Sequence, residues 1–169
     1  MQILVMSDTH SDAIVIEQVK SYYPNMDAYI HCGDSELTAQ HPALSGMTVV
    51  RGNCDRGKDF PEESILEVDG VKVYVTHGHL YNVKSSIMNL LYRGQEIGAD
   101  VVLFGHSHRL GAELVDETLF VNPGSLLSPR GGNPKSFAII KKEGDSWTVT
   151  FYTNGNQEIS SHSFRILQK

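Results

Sequence analysis

Short, mostly apolar runs, each followed directly by polar residues, recur along the first two thirds of the chain. They cover residues 3–6, 28–32, 48–50 and 101–104. A continuous apolar run of this length, bounded by polar residues, is typical of a strand that is buried on both faces of a sheet. We therefore predict buried strands at these four places.

Two segments between these runs carry apolar residues at helical spacing. They are Ile14, Val15, Val19 and Tyr22 in the first segment, and Val83, Ile87, Leu90, Leu91 and Ile97 in the second. Ser11 or Asp12 can cap the first helix, and Pro24 stops it. The second helix is expected to end near Gly98, since glycine favours helix C-termini. Strand, helix and strand at the start of the chain predict a βαβ unit with parallel pairing.

Antiparallel pairing is predicted elsewhere. Residues 65–68 and 71–75 flank Asp69-Gly70, which is the pattern of a β-hairpin with a two-residue turn. After residue 112 the segments become shorter and alternate, at 113–115, 119–121, 137–140 and 147–152, and we interpret them as antiparallel strands. Because no linker rich in Pro, Gly or Ser divides the chain, we expect one mixed α/β domain over residues 1–169.

Composition and charge narrow the functional classes. A domain of 169 residues buries roughly 70% of the surface of its unfolded chain, so it needs no disulfide or structural metal for stability. The formal net charge of −6, without a basic run, argues against binding of long nucleic acids. The first residues contain neither a basic leader nor a long apolar stretch, so we expect a cytoplasmic protein without a signal peptide or membrane span.

Loops that follow five of the predicted strands contain residue types that bind metals. These residues are Asp8 and His10, Asp34, Asn53, His77, and His106 and His108. In open α/β sheets such loops meet beyond the carboxyl ends of the strands. Carboxylate, imidazole and amide ligands together favour ions such as Mn²⁺, Fe²⁺ or Zn²⁺. Seven ligands exceed the needs of one ion, and a carboxylate such as Asp34 can bridge two ions about 3.5–4 Å apart.

Five motifs in this order resemble those of the calcineurin-like metallophosphoesterase superfamily. They are Asp8-x-His10, Gly33-Asp34, Gly52-Asn53-x-Asp55, His77-Gly78-His79 and Gly105-His106-x-His108. Residues 122–125 and 129–130 resemble a later motif of its small, single-domain bacterial and archaeal phosphodiesterases. The resemblance implies a four-layer α/β/β/α sandwich of two mixed sheets flanked by helices, with a dinuclear metal site at one rim.

The resemblance also implies a role for each site residue. It makes Asp8, His10 and His108 ligands of one metal, Asn53, His77 and His106 ligands of the other, and Asp34 the bridge. Many relatives have a histidine after the asparagine, whereas this chain has Cys54. The general acid is therefore open between Cys54 and His79. Asp55 is expected to orient a neighbouring residue.

The function predicted from these residues is a metal-dependent phosphodiesterase that acts on small phosphodiesters. A hydroxide bridging two divalent ions, Mn²⁺ first and Fe²⁺, Ni²⁺ or Zn²⁺ as alternatives, is expected to attack phosphorus. The expected partner is a small substrate rather than a long nucleic acid or a membrane, and self-association is left open. Two alternatives are kept: a phosphomonoesterase or short-oligonucleotide nuclease, and a non-catalytic scaffold similar to a eukaryotic retromer subunit.

Several residues near these motifs have two interpretations. His31 either supports a metal ligand through a hydrogen bond or is a packed strand residue. The turn at residues 122–125 either contacts substrate or positions the neighbouring histidine loop. Arg130 either contacts phosphate or lies on a surface loop. His41 and His162 are assigned no chemistry.

Overall fold

The computed structural model describes residues 1–167 and contains two β-sheets that pack face to face. The strands are β1 (Gln2–Met6), β2 (Ala28–His31), β3 (Thr48–Val49), β4 (Glu63–Val68), β5 (Val71–Thr76), β6 (Val101–Leu103), β7 (Gly111–Val115), β8 (Thr118–Asn122), β9 (Ser136–Glu143), β10 (Ser146–Thr153) and β11 (Glu158–Arg165). The helices are α1 (Ala13–Tyr22) and α2 (Met88–Ile97), with short 3₁₀ helices at Pro42–Leu44 and His79–Tyr81.

Both sheets are mixed. The first has the order β11-β10-β9-β1-β2-β3, in which β1, β2 and β3 are parallel and the remaining neighbours are antiparallel. The second has the order β4-β5-β6-β8-β7, in which β5, β6 and β8 are parallel. The parallel pairing at the start of the chain and the hairpin of β4 and β5 confirm the predictions.

The apolar residues divide into three clusters that define four layers. One cluster lies between the sheets and includes Ile3, Val73, Val101 and Trp147. A second packs α1 against the outer face of the six-stranded sheet, and a third packs α2 against the outer face of the five-stranded sheet. The two sheets flanked by helices form the expected α/β/β/α sandwich. None of the helices within residues 1–167 combines the length and the apolar character needed to cross a bilayer.

Helix α1 agrees with its prediction, whereas α2 is shorter than predicted. The Asp12 carboxylate accepts a hydrogen bond of 3.0 Å from the backbone N–H of Val15 and caps α1. Helix α2 begins only at Met88, because the chain turns at residues 82–85, where Asn82 has a left-handed conformation, and stays irregular up to Ile87. Val83 lies in this irregular segment and is buried, so an apolar residue at this position can be buried without being part of a helix. Gly98 ends α2 in the left-handed conformation, as expected.

One strand prediction needed correction, and one strand was not predicted. Residues 119–121 belong to β8, which is antiparallel to β7 but parallel to β6. The β7–β8 hairpin folds back so that β8 lies between β6 and β7, which produces the mixed pairing. Strand β11 was not predicted, because most of its side chains are polar and at least partly exposed at the edge of the sheet.

Replacement of either of two isoleucines of α1 tests how this helix packs against the sheet. Ile16 is completely buried, whereas Ile14 is 79% exposed. Ile16→Ala should lower the free energy of unfolding by about 2–5 kcal/mol, because it leaves a cavity under the helix. Ile14→Ala should change it by no more than about 0.5 kcal/mol. Urea unfolding of both variants checks this, and equal effects would contradict the packing described here.

Candidate metal centre

The carboxyl ends of β1, β2, β5 and β6 and the loop after β3 bring all seven expected metal ligands to one edge of the molecule. Asp8 lies at the centre of one group. Its Oδ1 atom is 3.0 Å from Nε2 of His108 and 3.8 Å from Nε2 of His10. Ligand atoms of these three residues all lie within 4.8 Å of one another. This spacing suits a single ion.

A second group surrounds His77. Nε2 of His77 lies 3.2 Å from Oδ2 of Asp34 and 3.1 Å from Oδ1 of Asn53. The His106 ring is 5.1 Å from the His77 ring, measured between centroids. Nε2 of His77 is also 3.8 Å from Oδ1 of Asp8, so the two groups adjoin. The structure therefore provides two neighbouring clusters of ligand atoms.

In three of the histidines, Nδ1 forms a hydrogen bond with an oxygen atom that is not one of the expected metal ligands. Nδ1 of His77 lies 2.7 Å from the Cys32 carbonyl oxygen, and Nδ1 of His108 lies 2.7 Å from the Ser128 carbonyl oxygen. Nδ1 of His10 contacts a carboxylate oxygen of Glu36 at 2.6 Å. Because these oxygens accept hydrogen bonds, the Nδ1–H of each ring donates, and the lone pair of Nε2 is left for a metal.

The two aspartates are buried and charged. Burial alone raises the pKa of Asp34, but the adjacent His77 ring and the hydrogen bond from the backbone N–H of Cys54 lower it well below its usual range. The pKa of Asp8 is also lowered despite burial, because of the neighbouring histidines and the Ser7 hydroxyl. Both carboxylates are therefore negative at neutral pH, as metal ligands must be.

One oxygen of Asp8 provides a test of whether a metal fits. Oδ2 accepts hydrogen bonds from the Ser7 hydroxyl and from the backbone N–H of His106. Oδ1 is buried and accepts no hydrogen bond within residues 1–167, although imidazole nitrogens surround it. A buried, unpaired carboxylate oxygen is costly unless a cation binds it. The donor set therefore fits a divalent ion.

His106 is suited to bind metal in its neutral form. Burial, together with the charges of His77 and Lys84, lowers its pKa to about 4. The ring is therefore neutral at pH 7, and a neutral imidazole is the form that binds metals.

Most of the expected ligands have unusual backbone conformations. The φ angle is 54° at Asp8, 44° at His10, 57° at Asp34, 67° at His106 and 58° at His108. Residues with side chains seldom adopt this left-handed conformation, which costs about 1–3 kcal/mol each and concentrates at functional sites. Packing of the sheets must therefore hold these loops in place.

Two glycines leave room for the aspartates. A Cβ atom at Gly52 would overlap the Asp34 carboxylate, and a Cβ atom at Gly105 would overlap the Ser7 hydroxyl and crowd the Asp8 carboxylate. The two motif glycines therefore provide space for charged side chains rather than conformational freedom, since neither has a positive φ.

Asp55 supports the Asp34 loop. Its carboxylate accepts hydrogen bonds from the backbone N–H groups of Asp34 at 2.9 Å, Gly52 at 2.7 Å and Glu36 at 2.8 Å. These bonds connect the loops that follow β2 and β3. That Asp55 orients a neighbouring residue of the site stays a prediction, which these contacts support.

His31 also connects site loops and is completely buried. Its Nδ1 accepts a hydrogen bond from the Gly33 backbone N–H, so Nε2 carries the proton and donates to the Thr9 hydroxyl at 3.0 Å. Burial lowers the pKa of His31 to about 4. This histidine thus joins the Asp8 loop to the Asp34 loop without contacting a ligand atom directly.

The turn at residues 122–125 positions loops of the site. The Ser125 hydroxyl donates to the Asp8 carbonyl oxygen at 2.8 Å, and the Asn122 amide donates to the Gly105 carbonyl oxygen at 3.1 Å. These contacts favour the interpretation that the turn positions the neighbouring loops of the site. The backbone N–H of Arg130 donates to the His108 carbonyl oxygen at 2.9 Å, and the residue is exposed.

The two candidates for the general acid differ in environment. Cys54 is exposed, and partial burial and the nearby Asp34 raise the pKa of its thiol to about 11. His79 lies beside the His77 and His106 rings, with centroid distances of 5.4 Å and 6.1 Å. Burial and the charge of His77 lower the pKa of His79, and its buried Nδ1 has no hydrogen-bond partner within the described residues.

Some supporting groups were not predicted from the sequence. Glu36, which binds His10, stands two residues after Asp34 in the same motif loop, and this proximity was an available signal. Nothing in the sequence indicated the role of the Cys32 and Ser128 carbonyl groups, because every residue carries a backbone carbonyl group.

Comparison with known proteins identifies the family. The model of the calcineurin-like phosphoesterase superfamily domain matches residues 1–145. The probable metallophosphoesterase YsnB of Bacillus subtilis is 42% identical over 167 residues, which cover 98% of this chain and 99% of the relative. The chain belongs to the calcineurin-like phosphoesterase superfamily.

Three further proteins are similar to this chain in sequence or in fold. A predicted phosphoesterase from Streptococcus pneumoniae TIGR4 has a solved structure with a TM-score of 0.93, 36% identity and 97% coverage of both chains. Phosphodiesterase MJ0936 of Methanocaldococcus jannaschii is 32% identical over 155 residues, covering 79% of this chain and 89% of the relative. Vps29 from Chaetomium thermophilum, at 20% identity, TM-score 0.77 and full coverage of both chains, shares the fold.

Replacement of Asp55 should loosen the candidate metal centre. Asp55→Asn retains one acceptor oxygen and leaves at least one buried N–H unpaired, which should lower the free energy of unfolding by about 1–3 kcal/mol. The affinity for Mn²⁺ should fall about 10–100-fold, as for other groups that support metal ligands. Calorimetric titration with Mn²⁺ measures this, with Asp59→Asn on the exposed loop as the matched control. Unchanged affinity in Asp55→Asn would contradict the supporting role.

His31 should make the stability of the metal-free protein depend on pH. Its pKa is about 4 in the folded protein, against an ordinary value of 6.5. Between these values the unfolded chain binds a proton that the folded protein does not, so this contribution is present above pH 6.5 and is lost as the pH falls. The loss should reach about 2–3 kcal/mol by pH 4.5.

Urea unfolding in the presence of a chelator at several pH values measures this dependence. His31→Asn should show a flatter decline of stability between pH 6.5 and 4.5 than the wild type. His162→Asn, at an exposed position, is the matched control and should follow the wild type. The same decline in all three proteins would rule out His31 as its source.

Proposed function

We propose that this protein hydrolyses small phosphodiesters at a centre of two divalent metal ions. The observation that supports this most directly is the buried Oδ1 atom of Asp8, which has no hydrogen-bond partner within residues 1–167 and faces three imidazole nitrogens. Fixed Nδ1–H groups direct the Nε2 lone pairs of those three rings toward the same place. Without a cation, this arrangement of a buried carboxylate oxygen and imidazole lone pairs is electrostatically unfavourable. A bound cation would remove most of that free-energy cost.

The ligand sets follow from the two groups of contacts. Asp8, His10 and His108 would hold one ion, and Asn53, His77 and His106 would hold the other. Asp34 would bridge them, since ligand atoms of Asp34, Asp8 and His77 all lie within 4.8 Å of one another. Oxygen and imidazole ligands suit Mn²⁺, which is our first choice, and also Fe²⁺, Ni²⁺ and Zn²⁺.

The chemistry follows from these positions. When bound, two divalent ions act as Lewis acids toward phosphate oxygens and lower the pKa of water. Asp8 and Asp34 supply negative charge that holds the ions, while His31, Asp55 and Ser125 keep the ligand loops in position. No covalent intermediate with a side chain is needed.

We assign the proton transfer to the leaving group to His79 rather than Cys54. The pKa of the Cys54 thiol is raised to about 11, so it gives up a proton poorly at neutral pH. An imidazole ordinarily has a pKa closer to neutral pH than a thiol, and Nδ1 of His79 has no hydrogen-bond partner among the described residues. The ring also borders the His77 and His106 side of the centre.

Enzymatic activity is preferred over a scaffold role. Relatives named metallophosphoesterase or phosphodiesterase are 42% and 32% identical to this chain, whereas the Vps29 comparison at 20% identity concerns the fold alone. A protein-binding scaffold also has no physical need for two buried carboxylates that require cations. Substrate and product are expected to be small, since the chain has a net charge of −6 and no basic stripe.

Asp34→Asn should abolish most of the activity. Metal-stripped protein is supplied separately with Mn²⁺, Fe²⁺, Ni²⁺, Zn²⁺ or Mg²⁺ and assayed with bis-p-nitrophenyl phosphate and p-nitrophenyl phosphate. We expect metal-dependent cleavage that favours the diester. Asp34→Asn should reduce kcat by more than the roughly 10–100-fold typical of supporting residues, because it weakens the bridge itself.

Asp59→Asn, which changes an exposed aspartate in the same way, serves as the control and should retain wild-type activity. Near-normal turnover of Asp34→Asn with unchanged metal content would contradict the assigned centre. A preference for the monoester would favour the phosphomonoesterase alternative. Two bound metals without turnover of either ester would favour the scaffold.

A further inference from the structure

Cys54 belongs to a group of metal-binding side chains that differs from the two clusters described above. Ligand atoms of His10, Glu36 and Cys54 all lie within 4.8 Å of one another. The three residues come from the loops that follow β1, β2 and β3, so folding brings them together. The group contains neither Asp8 nor His108, which complete the first cluster of the candidate centre with His10. It is therefore a separate combination of ligands.

His10 has one ring nitrogen toward each group. Its Nε2 atom faces the candidate centre, 3.8 Å from Oδ1 of Asp8 and 3.5 Å from Nε2 of His108. Its Nδ1 atom lies 2.6 Å from a carboxylate oxygen of Glu36. Once the Nδ1 proton is lost, both nitrogens carry a lone pair, so the ring can bind one ion through each nitrogen.

The Cys54 thiol lies in a region of negative charge. The carboxylates of Asp34, Glu36 and Asp8 all act on it electrostatically. The backbone N–H of Cys54 donates to Oδ1 of Asp34 at 2.8 Å, which keeps the residue beside that carboxylate. Negative charge around a thiol favours a cation there, and a thiol that binds a divalent ion gives up its proton.

This group of ligands is accessible from solvent. Cys54 and Glu36 are exposed, and His10 is partly exposed. The carboxylates of Asp8 and Asp34, in contrast, are buried. An ion can therefore reach the group of His10, Glu36 and Cys54 directly, and it would lie on the outer side of the candidate centre.

The residue types determine which ions suit this group. A thiolate favours soft cations such as Zn²⁺ and Cd²⁺ over Mn²⁺ and Mg²⁺. Thiolate, imidazole and carboxylate all bind Zn²⁺, and a water can complete a tetrahedral set of four. Ligand atoms around such an ion lie about 3.3–3.6 Å apart, so the exposed Glu36 carboxylate would move about 0.7 Å away from His10.

We propose that His10, Glu36 and Cys54 bind a thiophilic divalent cation of the zinc class, in addition to the ions of the candidate centre. The Cys54 thiol and Nδ1 of His10 each release one proton to solvent when this cation binds. The site shares the His10 ring with the first ion of the centre. The inference goes beyond the proposed function, since it requires no turnover of an ester.

Cd²⁺ is the probe, because a thiolate bound to Cd²⁺ gives a charge-transfer band in the ultraviolet that oxygen and nitrogen ligands do not give. Metal-stripped, reduced protein is titrated with Cd²⁺, and the ions retained per chain are counted by mass spectrometry after free Cd²⁺ is removed. We expect the band in the wild type and its loss in Cys54→Ala. Cys54→Ala should also retain one Cd²⁺ fewer per chain.

Cys32→Ala is the matched control for this variant. Cys32 is the other cysteine of the chain and is completely buried between the sheets. It belongs to none of the groups of metal-binding side chains within residues 1–167. Cys32→Ala should therefore keep both the band and the number of bound ions, and thermal melting checks the fold of each variant.

A second variant tests the carboxylate of the site. Glu36→Gln should raise the Kd of the Cd²⁺ that gives the band by at least about tenfold, a loss similar to that seen when groups supporting metal ligands are replaced. Glu67→Gln removes a charge in the same way at an exposed position of β4 and should leave this Kd unchanged.

Absence of the band in the wild type would overturn the proposed site. A band with equal numbers of Cd²⁺ in the wild type and in Cys54→Ala would mean that the thiolate joins an ion of the candidate centre, and it would also overturn the separate site. An unchanged Kd in Glu36→Gln would overturn the ligand set. The difference of one ion depends neither on turnover nor on the number of ions in the centre, so failure of this site and failure of the proposed function are distinguishable.

Discussion

The buried negative charge of Asp8 and Asp34 is the constraint on which the rest of the site depends. Both carboxylates lie at the ends of buried strands, where charge is stable only with hydrogen bonds and a nearby cation. Backbone N–H groups, the Ser7 hydroxyl and His77 meet part of this requirement. One oxygen of Asp8 is left without a hydrogen bond in the described part of the chain, which is the strongest physical indication of metal binding.

This constraint explains why so many residues around the site have structural roles. Gly52 and Gly105 are small because the two carboxylates occupy the space that a side chain would need. Asp55 holds the backbone of the Asp34 loop, and Ser125 holds that of the Asp8 loop. The left-handed conformations of five expected ligands would be costly in isolation, so the two packed sheets must compensate for them.

The candidate metal ligands come from both sheets. They follow the carboxyl ends of strands in each sheet, so the packing of the two sheets against each other sets the distance between the two clusters of ligand atoms. The fold and the ligand set do not by themselves select a substrate.

The sequence was enough to predict the buried strands, the hairpin at Asp69-Gly70 and the motif loops, because these depend on local periodicity and turn chemistry. It also supplied the residue types of the site. The position of β8 between β6 and β7, the irregular segment at residues 82–87 and the edge strand β11 could not be predicted, since each depends on packing between distant segments. The direction of each histidine lone pair was likewise decided by carbonyl and carboxylate groups that come together only in the folded chain.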